Sequence, residues 1–381
     1  MWLLYSSVAL TLLPSAFGSL PQLHPSGISL FPDSLKPQII TGLYGSPISP
    51  ARIVIHDTNG QPSWSWSVQD GKNISVELRT CLYDLCQAQG CSAPENKWAN
   101  NGDNVIAIHG SAAIIINHHP GRDTDKAVAF GICLNRDGMD NTHSAEMLPD
   151  GKIAIATTSN DIRGGIKIFD IFSSQGVGAA PIQQLDGVSA VHAVLWDDQR
   201  RILWAAGNDR SPLSEGSRSI LNAYRYTAGS FETKYDSHII SRPVRLSTEW
   251  GFSTAWWDGP HAMTSIPNQR KLLITTDLDV HVFDMESQSF QHGDPVAQRY
   301  LKGFQPEGTR NGPDGVFLPR SDIKSIDILE DGNTLYVQAQ WGQVFGKHVS
   351  YISEGRKKPS IWDQVLYRSR WFQQRQLDDE A

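Results

Sequence analysis

His143-Ser-Ala-Glu-Met-Leu-Pro-Asp-Gly-Lys152 runs directly into Ile153-Ala-Ile-Ala-Thr-Thr-Ser-Asn160, and the pair reads as a β-hairpin. The turn signal Pro149-Asp-Gly151 supplies residues that tolerate a left-handed backbone, and β-prone runs flank it. The same template recurs. His192-Ala-Val-Leu-Trp-Asp-Asp-Gln-Arg-Arg201 leads into Ile202-Leu-Trp-Ala-Ala-Gly-Asn208, and His261-Ala-Met-Thr-Ser-Ile-Pro-Asn-Gln-Arg-Lys271 leads into Leu272-Leu-Ile-Thr-Thr-Asp277. Two further windows fit with another opening residue: Asp103-Asn-Val-Ile-Ala-Ile-His-Gly110 before Ser111–Asn117, and Lys324-Ser-Ile-Asp-Ile-Leu-Glu-Asp-Gly332 before Asn333–Gln340. A repeating hairpin that opens on a polar residue predicts an all-β, single-domain β-propeller. Radial repetition carries the same position of every blade to one central channel.

The opening residues Asp103, His143, His192, His261 and Lys324 are therefore expected to meet around an axis. The ends of the second strands join them in one bowl: Asn117, His118 and His119; Asn160, Asp161 and Arg163; Asn208 and Arg210; Asp277; Gln340 and Trp341. Six hairpin cores are countable, beginning near residues 38, 103, 143, 192, 261 and 324. Residues 235–257 have room for a seventh, and the two termini are able to close the ring by sharing a blade. The run Ile361–Phe372 is expected as the closing outer strand. Only residues 75–89 look helical.

Of 381 residues, 33 are basic and 40 acidic, giving a net charge of -7, and charged residues make up 19%. That balance lacks the basic excess a nucleic-acid surface requires. Residues 1–18 combine a short apolar core with the small-residue site Ala16-Phe17-Gly18 and read as a signal peptide; residues 19–381 form the catalytic propeller. No later apolar stretch is long enough to span a bilayer, so a secreted, extracellular monomer is expected. The four cysteines Cys81, Cys86, Cys91 and Cys133 suit an oxidising compartment, with one bridge inside the 81–91 loop and one from it to Cys133. Asn73-Ile-Ser75 is a glycosylation sequon.

Imidazoles gathered beside cations define the chemistry. No Gly-x-Ser-x-Gly elbow accompanies the histidines, which disfavours a serine hydrolase. Paired carboxylates for a glycosidase are obtainable only from Asp103, Glu146, Asp161 or Asp277, and strand alternation turns Glu146 away from the direction of His143. Arg163, Arg210, Arg320 and Lys324 surround the histidines instead. Positive charge beside imidazole suits a uronate, whose carboxylate must be neutralised before its C5 proton becomes removable. Trp250, Trp256, Trp257 and Trp341 are placed either to stack on sugars or to fill gaps between blades.

The segments Asn141-Thr-His-Ser-Ala-Glu-Met-Leu-Pro-Asp-Gly151 and Trp257-Asp-Gly-Pro-His-Ala262, in a secreted single-domain layout, resemble the fungal L-rhamnosyl-α-1,4-D-glucuronate lyases. The resemblance implies seven blades and an enzyme that removes rhamnose caps from glucuronate on arabinogalactan chains such as gum arabic. The expected function is thus a polysaccharide lyase acting by β-elimination on an acidic plant polysaccharide, with neither nucleic acid nor membrane as partner. His143 and His192 are the expected proton-transferring pair and Arg210 the carboxylate neutraliser, with Arg163 and Lys324 as substitutes. His118, His119, Asn208, His261, Asp103, Trp257 and Gln340 are expected to bind substrate. No cofactor is required; a divalent cation on His143, His192 and His261 is the metal-assisted variant. A lectin-like propeller that binds sugars without chemistry is the alternative from another class.

Overall fold

The computed structural model describes residues 37–372 apart from 47–48, 85–91, 136–137, 140, 159–164, 177, 247–255, 312–314 and 342. Its strands pair into six four-stranded antiparallel sheets. From the axis outward, the first blade is Leu366–Phe372, Gln38–Leu43, Arg52–His56 and Pro62–Trp66. The second is Glu95–Ala99, Asn104–His109, Ala112–Asn117 and Val128–Cys133, and the third Thr142–Leu148, Lys152–Thr157, Ile166–Asp170 and Gln183–Leu185. The fourth is Ser189–Asp197, Ile202–Asn208, Ser219–Thr227 and Ser230–Ile239, and the fifth Pro260–Ser265, Lys271–Thr276, Val280–Asp284 and Ser289–His292. Ile323–Ile328, Thr334–Gln338, Ser350–Ser353 and Arg356–Lys357 complete the sixth. The first-named strand of each blade neighbours those of the adjacent blades and so forms the inner wall.

The propeller has six blades, and the expected seventh is absent from the described residues. The start of the interval assigned to it, residues 235–239, belongs to Ser230–Ile239, the long outer strand of the fourth blade. The termini do share a blade, but the C-terminal strand closes it from the inside. Gln38 pairs with Phe372 and Thr41 with Ser369, which puts Leu366–Phe372 against the axis rather than on the rim.

The core lies between blades. Ile40, Ile53 and Ile55 of the first blade pack on Val105, Ile114 and Ile116 of the second. Leu329, Leu335 and Val337 of the sixth pack on Ile39, Val54 and Trp371 of the first and seal the ring. Each blade is apolar on both faces, which explains continuous runs such as Ala-Ala-Ile-Ile-Ile at 112–116. The predicted helix is Val76–Tyr83, capped by the Ser75 hydroxyl, which accepts from the Leu78 amide at 3.1 Å. A second helix, Asp294–Tyr300, falls in a segment too short for periodicity to reveal.

Cys81 on the first helix is disulfide-bonded to Cys133 at the end of the second blade's outer strand. One of the expected bridges is therefore present; Cys86 and Cys91 lie outside the described residues, as do residues 1–18. The bond closes a loop across 52 residues of chain. Replacing both cysteines by serine is expected to lower the unfolding free energy by about 2–4 kcal/mol, chiefly by freeing the unfolded chain. Denaturant titration of the double variant checks this; an unchanged midpoint contradicts it. No helix among the described residues is long and apolar enough to cross a membrane.

Candidate active site

One local device aims the axial side chains. The innermost strand gains an extra residue against its neighbour between Thr142 and Ser144, between Pro260 and Ala262, and between Ile323 and Ser325. The register slips likewise between Ser189 and Ala193, and opposite Thr41–Leu43 on the C-terminal strand. Such bulges bend a strand and re-aim one side chain. Here the re-aimed residues are His143, His192, His261, Lys324 and the pair Tyr367-Arg368. Two residues before three of them the backbone is left-handed, at Asn141 (φ 59), Ala190 (φ 48) and Asp322 (φ 56). That conformation costs a non-glycine residue free energy. At each it is matched by a bond to the aimed side chain: Asn141 O accepts from His143 Nδ1 at 2.8 Å, Ala190 O from His192 Nδ1 at 3.0 Å, and Asp322 Oδ1 from Lys324 Nζ at 3.3 Å.

The three imidazoles converge as predicted. Ring centroids of His143 and His192 are 5.1 Å apart, those of His192 and His261 5.0 Å, and Tyr367 closes the group 5.3 Å from His143. A carbonyl oxygen only accepts, so the Nδ1 atoms of His143 and His192 carry the hydrogen. Their Nε2 atoms then hold free lone pairs, and none has a partner among the described residues. Burial and the nearby guanidinium of Arg368 keep both rings neutral: the His143 imidazole is depressed to about 4, and that of His192 lies well below its usual value. Both are half-buried and open to the channel.

His261 is more enclosed. Its Nε2 lies 2.7 Å from Asp277 Oδ1 and 2.9 Å from Lys324 Nζ, and its Nδ1 is 3.2 Å from the Tyr367 hydroxyl. Burial, Lys324 and Arg368 hold this imidazole neutral. Burial opposes the ammonium of Lys324, but Asp322, Tyr367 and Asp277 outweigh it and raise its pKa. Burial and the nearby Asp277 push Asp258 upward; burial raises Asp277 against the pull of Lys324 and the Gly259 amide, and likewise raises Asp322 to about 6 against the pull of Lys324. Arg310, itself buried, bonds Asp322 at 3.1 Å.

Below the imidazoles, the side chain of Arg368 crosses the axis from the first blade and donates to the carbonyls of His192 and His261. Glu95, fully buried at the start of the second blade's inner strand, faces Arg370 at 3.1 Å, Arg368 at 3.8 Å and Lys97 at 3.8 Å. It also accepts from the Ser144 hydroxyl at 2.8 Å. Burial opposes this carboxylate, yet Arg370, Arg368 and Lys97 bring it down to about 2. Glu146 pairs with Lys97 at 2.9 Å.

Several expected residues fall elsewhere. Asp103 opens the second strand of its blade, not the first, because the inner strand is Glu95–Ala99; the window is displaced by one strand. Asp103, Asn117, His118 and His119 consequently lie at the opposite end of the channel, where His118 bonds Gly102 O at 2.8 Å and meets Phe372, the last residue of the closing strand, edge-on. Arg210 is half-exposed and paired with Asp209 at 3.3 Å, with no contact to the histidines. Asn208 is buried and holds Ser217 Oγ and Asp258 O, which makes it a structural bond between blades. Trp257 is half-buried on the rim, its amide donating to Pro212 O, and Arg320 pairs with Asp279 and Asp294. Gln340 is exposed at the end of the sixth blade's second strand, and Asn73 is exposed with φ 57. Asn160, Asp161, Arg163 and Trp250 lie outside the described residues. No group of three His, Cys, Asp or Glu side chains fit for a metal occurs among the described residues. The Lys324 ammonium sits against the nitrogen His261 would have offered.

Glu95, Tyr367 and Arg368 are the central residues that the hairpin template missed. The signal for them was charge inside β-like runs, Glu95-Asn-Lys-Trp-Ala99 and Tyr367-Arg-Ser-Arg-Trp-Phe372.

No protein-family model and no curated protein matches this chain. Solved structures do. NirN, a dihydro-heme d1 dehydrogenase solved in complex with DHE, is 13% identical at a TM-score of 0.40, over 89% of this chain and 56% of that one. Hydrazine synthase of Kuenenia stuttgartiensis is 12% identical at a TM-score of 0.39, over 82% of this chain and 77% of that one. Neither is named as a lyase.

The buried imidazoles set an acid limit on stability. His143, His109 and His281 are each held at about 4 by burial, and His192 and His261 also lie below the ordinary value near 6.5. A depressed folded value means the unfolded chain binds more protons, so this stability is present above pH 6.5 and is lost as pH falls toward 4. Asp258, Asp277 and Asp322 act in the opposite sense but are outnumbered. The melting temperature is expected to drop between pH 6.5 and 4; a flat or rising profile by differential scanning fluorimetry contradicts this.

Proposed function

We propose that the axial site is that of a lyase acting on an acidic sugar by β-elimination. One observation carries the reading: two neutral imidazoles, their tautomers fixed by Asn141 O and Ala190 O, offer adjacent Nε2 lone pairs beside the buried cations Lys324 and Arg368. The charge of those cations acts through low-dielectric protein and favours an anion at the channel mouth. A uronate carboxylate so stabilised renders its C5 proton acidic. Nε2 of His143 or His192 takes that proton as general base, the C4–O4 bond breaks, and O4 leaves with the neighbouring sugar after protonation.

In a β-D-glucuronate the C5 proton and O4 lie on the same side of the ring, so one imidazole is able to take the first proton and return it to the leaving oxygen. Lys324 and Arg368 replace Arg210 as the neutralising cations. With a terminal L-rhamnose as the leaving sugar, the products are free rhamnose and a C4–C5 unsaturated uronate. Residues 1–18, the sequon at Asn73 and the Cys81–Cys133 bond fit a secreted enzyme that meets plant arabinogalactan outside the cell.

A second reading, binding without chemistry, is favoured by the enclosure of Tyr367, Lys324 and Arg368, each 3% exposed or less. Incubation with a rhamnose-capped glucuronate oligosaccharide separates the two. Ultraviolet absorbance that grows together with free rhamnose supports the lyase; saturated products mean hydrolysis; retention of intact sugar means binding alone.

A further inference from the structure

We infer that Phe345 is a stacking platform for the neutral sugar that adjoins the uronate, an inference that rests on the lyase reading above. Phe345 is 38% exposed and its neighbour Val344 39%, on the loop that follows the sixth blade's second strand, at the channel end that carries the imidazoles. Two adjacent apolar side chains left partly exposed beside a polar site make a candidate contact for ligand. Among the described residues, Phe345 alone of the exposed aromatics is joined to the axial group through ring contacts. Its ring lies 6.3 Å from Tyr367, which is 5.3 Å from His143, and 5.2 Å from Tyr44 behind it.

The platform is fixed rather than dangling. Gly346 pairs with Leu366 in an isolated bridge, with the Leu366 amide donating to Gly346 O at 3.1 Å and the Gln364 amide to Lys347 O at 3.2 Å. These bonds tie the loop to the same strand that carries Tyr367 and Arg368. A Cβ on Gly346 would fall 2.5 Å from Val337 Cγ1, so this close approach of the loop needs glycine. Rigid support of this kind lowers the entropy cost of stacking a ligand.

The ligand class follows from the chemistry of the face. A phenyl ring has no polar edge and its π face is electron-rich, so it repels a carboxylate and accepts the C–H face of a neutral pyranose. The uronate therefore lies over His143 and His192, and the sugar linked through O4 packs on Phe345, with the exposed Gln343 and Lys347 beside it for its hydroxyls. A 6-deoxy sugar, whose C6 is a methyl group, gains more from this face than a sugar with a C6 hydroxyl.

The test compares wild type, Phe345→Ala and Phe345→Trp on the rhamnose-capped glucuronate oligosaccharide, with calorimetric binding of methyl α-L-rhamnoside in parallel. Phe345→Ala is expected to raise KM about tenfold with turnover at saturation within about twofold, to abolish rhamnoside binding and to keep the wild-type melting temperature. Phe345→Trp is expected to restore KM. An unchanged KM together with unchanged rhamnoside binding in Phe345→Ala overturns the platform. Where wild type yields no unsaturated product, the lyase reading fails, and the rhamnoside arm still decides: binding lost in Phe345→Ala supports the platform, and binding equal in both proteins, or present in neither, overturns it.

Discussion

Replacing His143 by alanine is expected to lower the rate of unsaturated-uronate release by about 10²–10⁴, the usual worth of a positioned general base. His192→Ala is expected to cost a similar factor, because both rings offer the same unprotonated nitrogen and stand 5.1 Å apart. The pair operates as a unit, so the double variant should lose little more than the worse single one. The pH profile carries an independent signature. With the His143 imidazole depressed to about 4, the base stays unprotonated well into the acid range, and the acid limb of kcat/KM is expected near pH 4 instead of near 6.5. A His143→Ala protein with wild-type rates would remove His143 from the mechanism, and wild-type rates in the double variant would remove both histidines, while leaving the fold intact. A limb at pH 6.5 would mean the ring is solvated and the cations are remote.

The largest structural effect is expected from Glu95. Glu95→Gln preserves shape but withdraws the one carboxylate that Arg370, Arg368 and Lys97 share at zero exposure. Breaking one partner out of a buried ionic cluster typically costs about 3–5 kcal/mol, because the remaining charges stay desolvated and uncompensated. The variant is expected to unfold at markedly lower denaturant, and Glu95→Gln with Arg370→Met to recover part of the loss. The wild-type contribution has a defined pH window: with the carboxylate at about 2 in the fold against an ordinary 4.5, its stability is complete above pH 4.5 and fades as pH falls toward 2. Equal denaturant midpoints for wild type and Glu95→Gln would show that the three cations are balanced by other groups.

What the sequence disclosed and what it concealed have one physical origin. His143, His192, His261 and Lys324 were legible because each opens an otherwise apolar hairpin, where packing alone demands no polar side chain. Glu95–Ala99 was illegible as a strand, and Leu366–Phe372 legible only as an outer one, because both carry the polar cluster that fills the axis; charge toward the channel masks the apolar pattern expected of an inner strand. The loss of Glu95–Ala99 shifted the second blade's window by one strand and sent Asp103, His118 and His119 to the wrong face. Leu366–Phe372 was misplaced for a further reason. Its partner is Gln38–Leu43, at the far end of the chain, and no local pattern reports a pairing over that separation. Arg368 is absent from the expected neutralising cations, which were Arg210, Arg163 and Lys324, for want of that same strand. The bulges at His143, His261 and Lys324 were equally hidden, since an inserted residue shows only against the partner's register.

The account is tested most directly by the mass of the uronate released from a rhamnose-capped glucuronate oligosaccharide in water enriched in oxygen-18. β-Elimination leaves the bridging oxygen on rhamnose, so the predicted uronate is lighter than the saturated acid by one water and carries no heavy oxygen. A saturated uronate, heavier than the predicted one by one water and accompanied by heavy oxygen on C1 of the released rhamnose, or a substrate recovered intact after prolonged incubation, contradicts proton abstraction by His143 and His192.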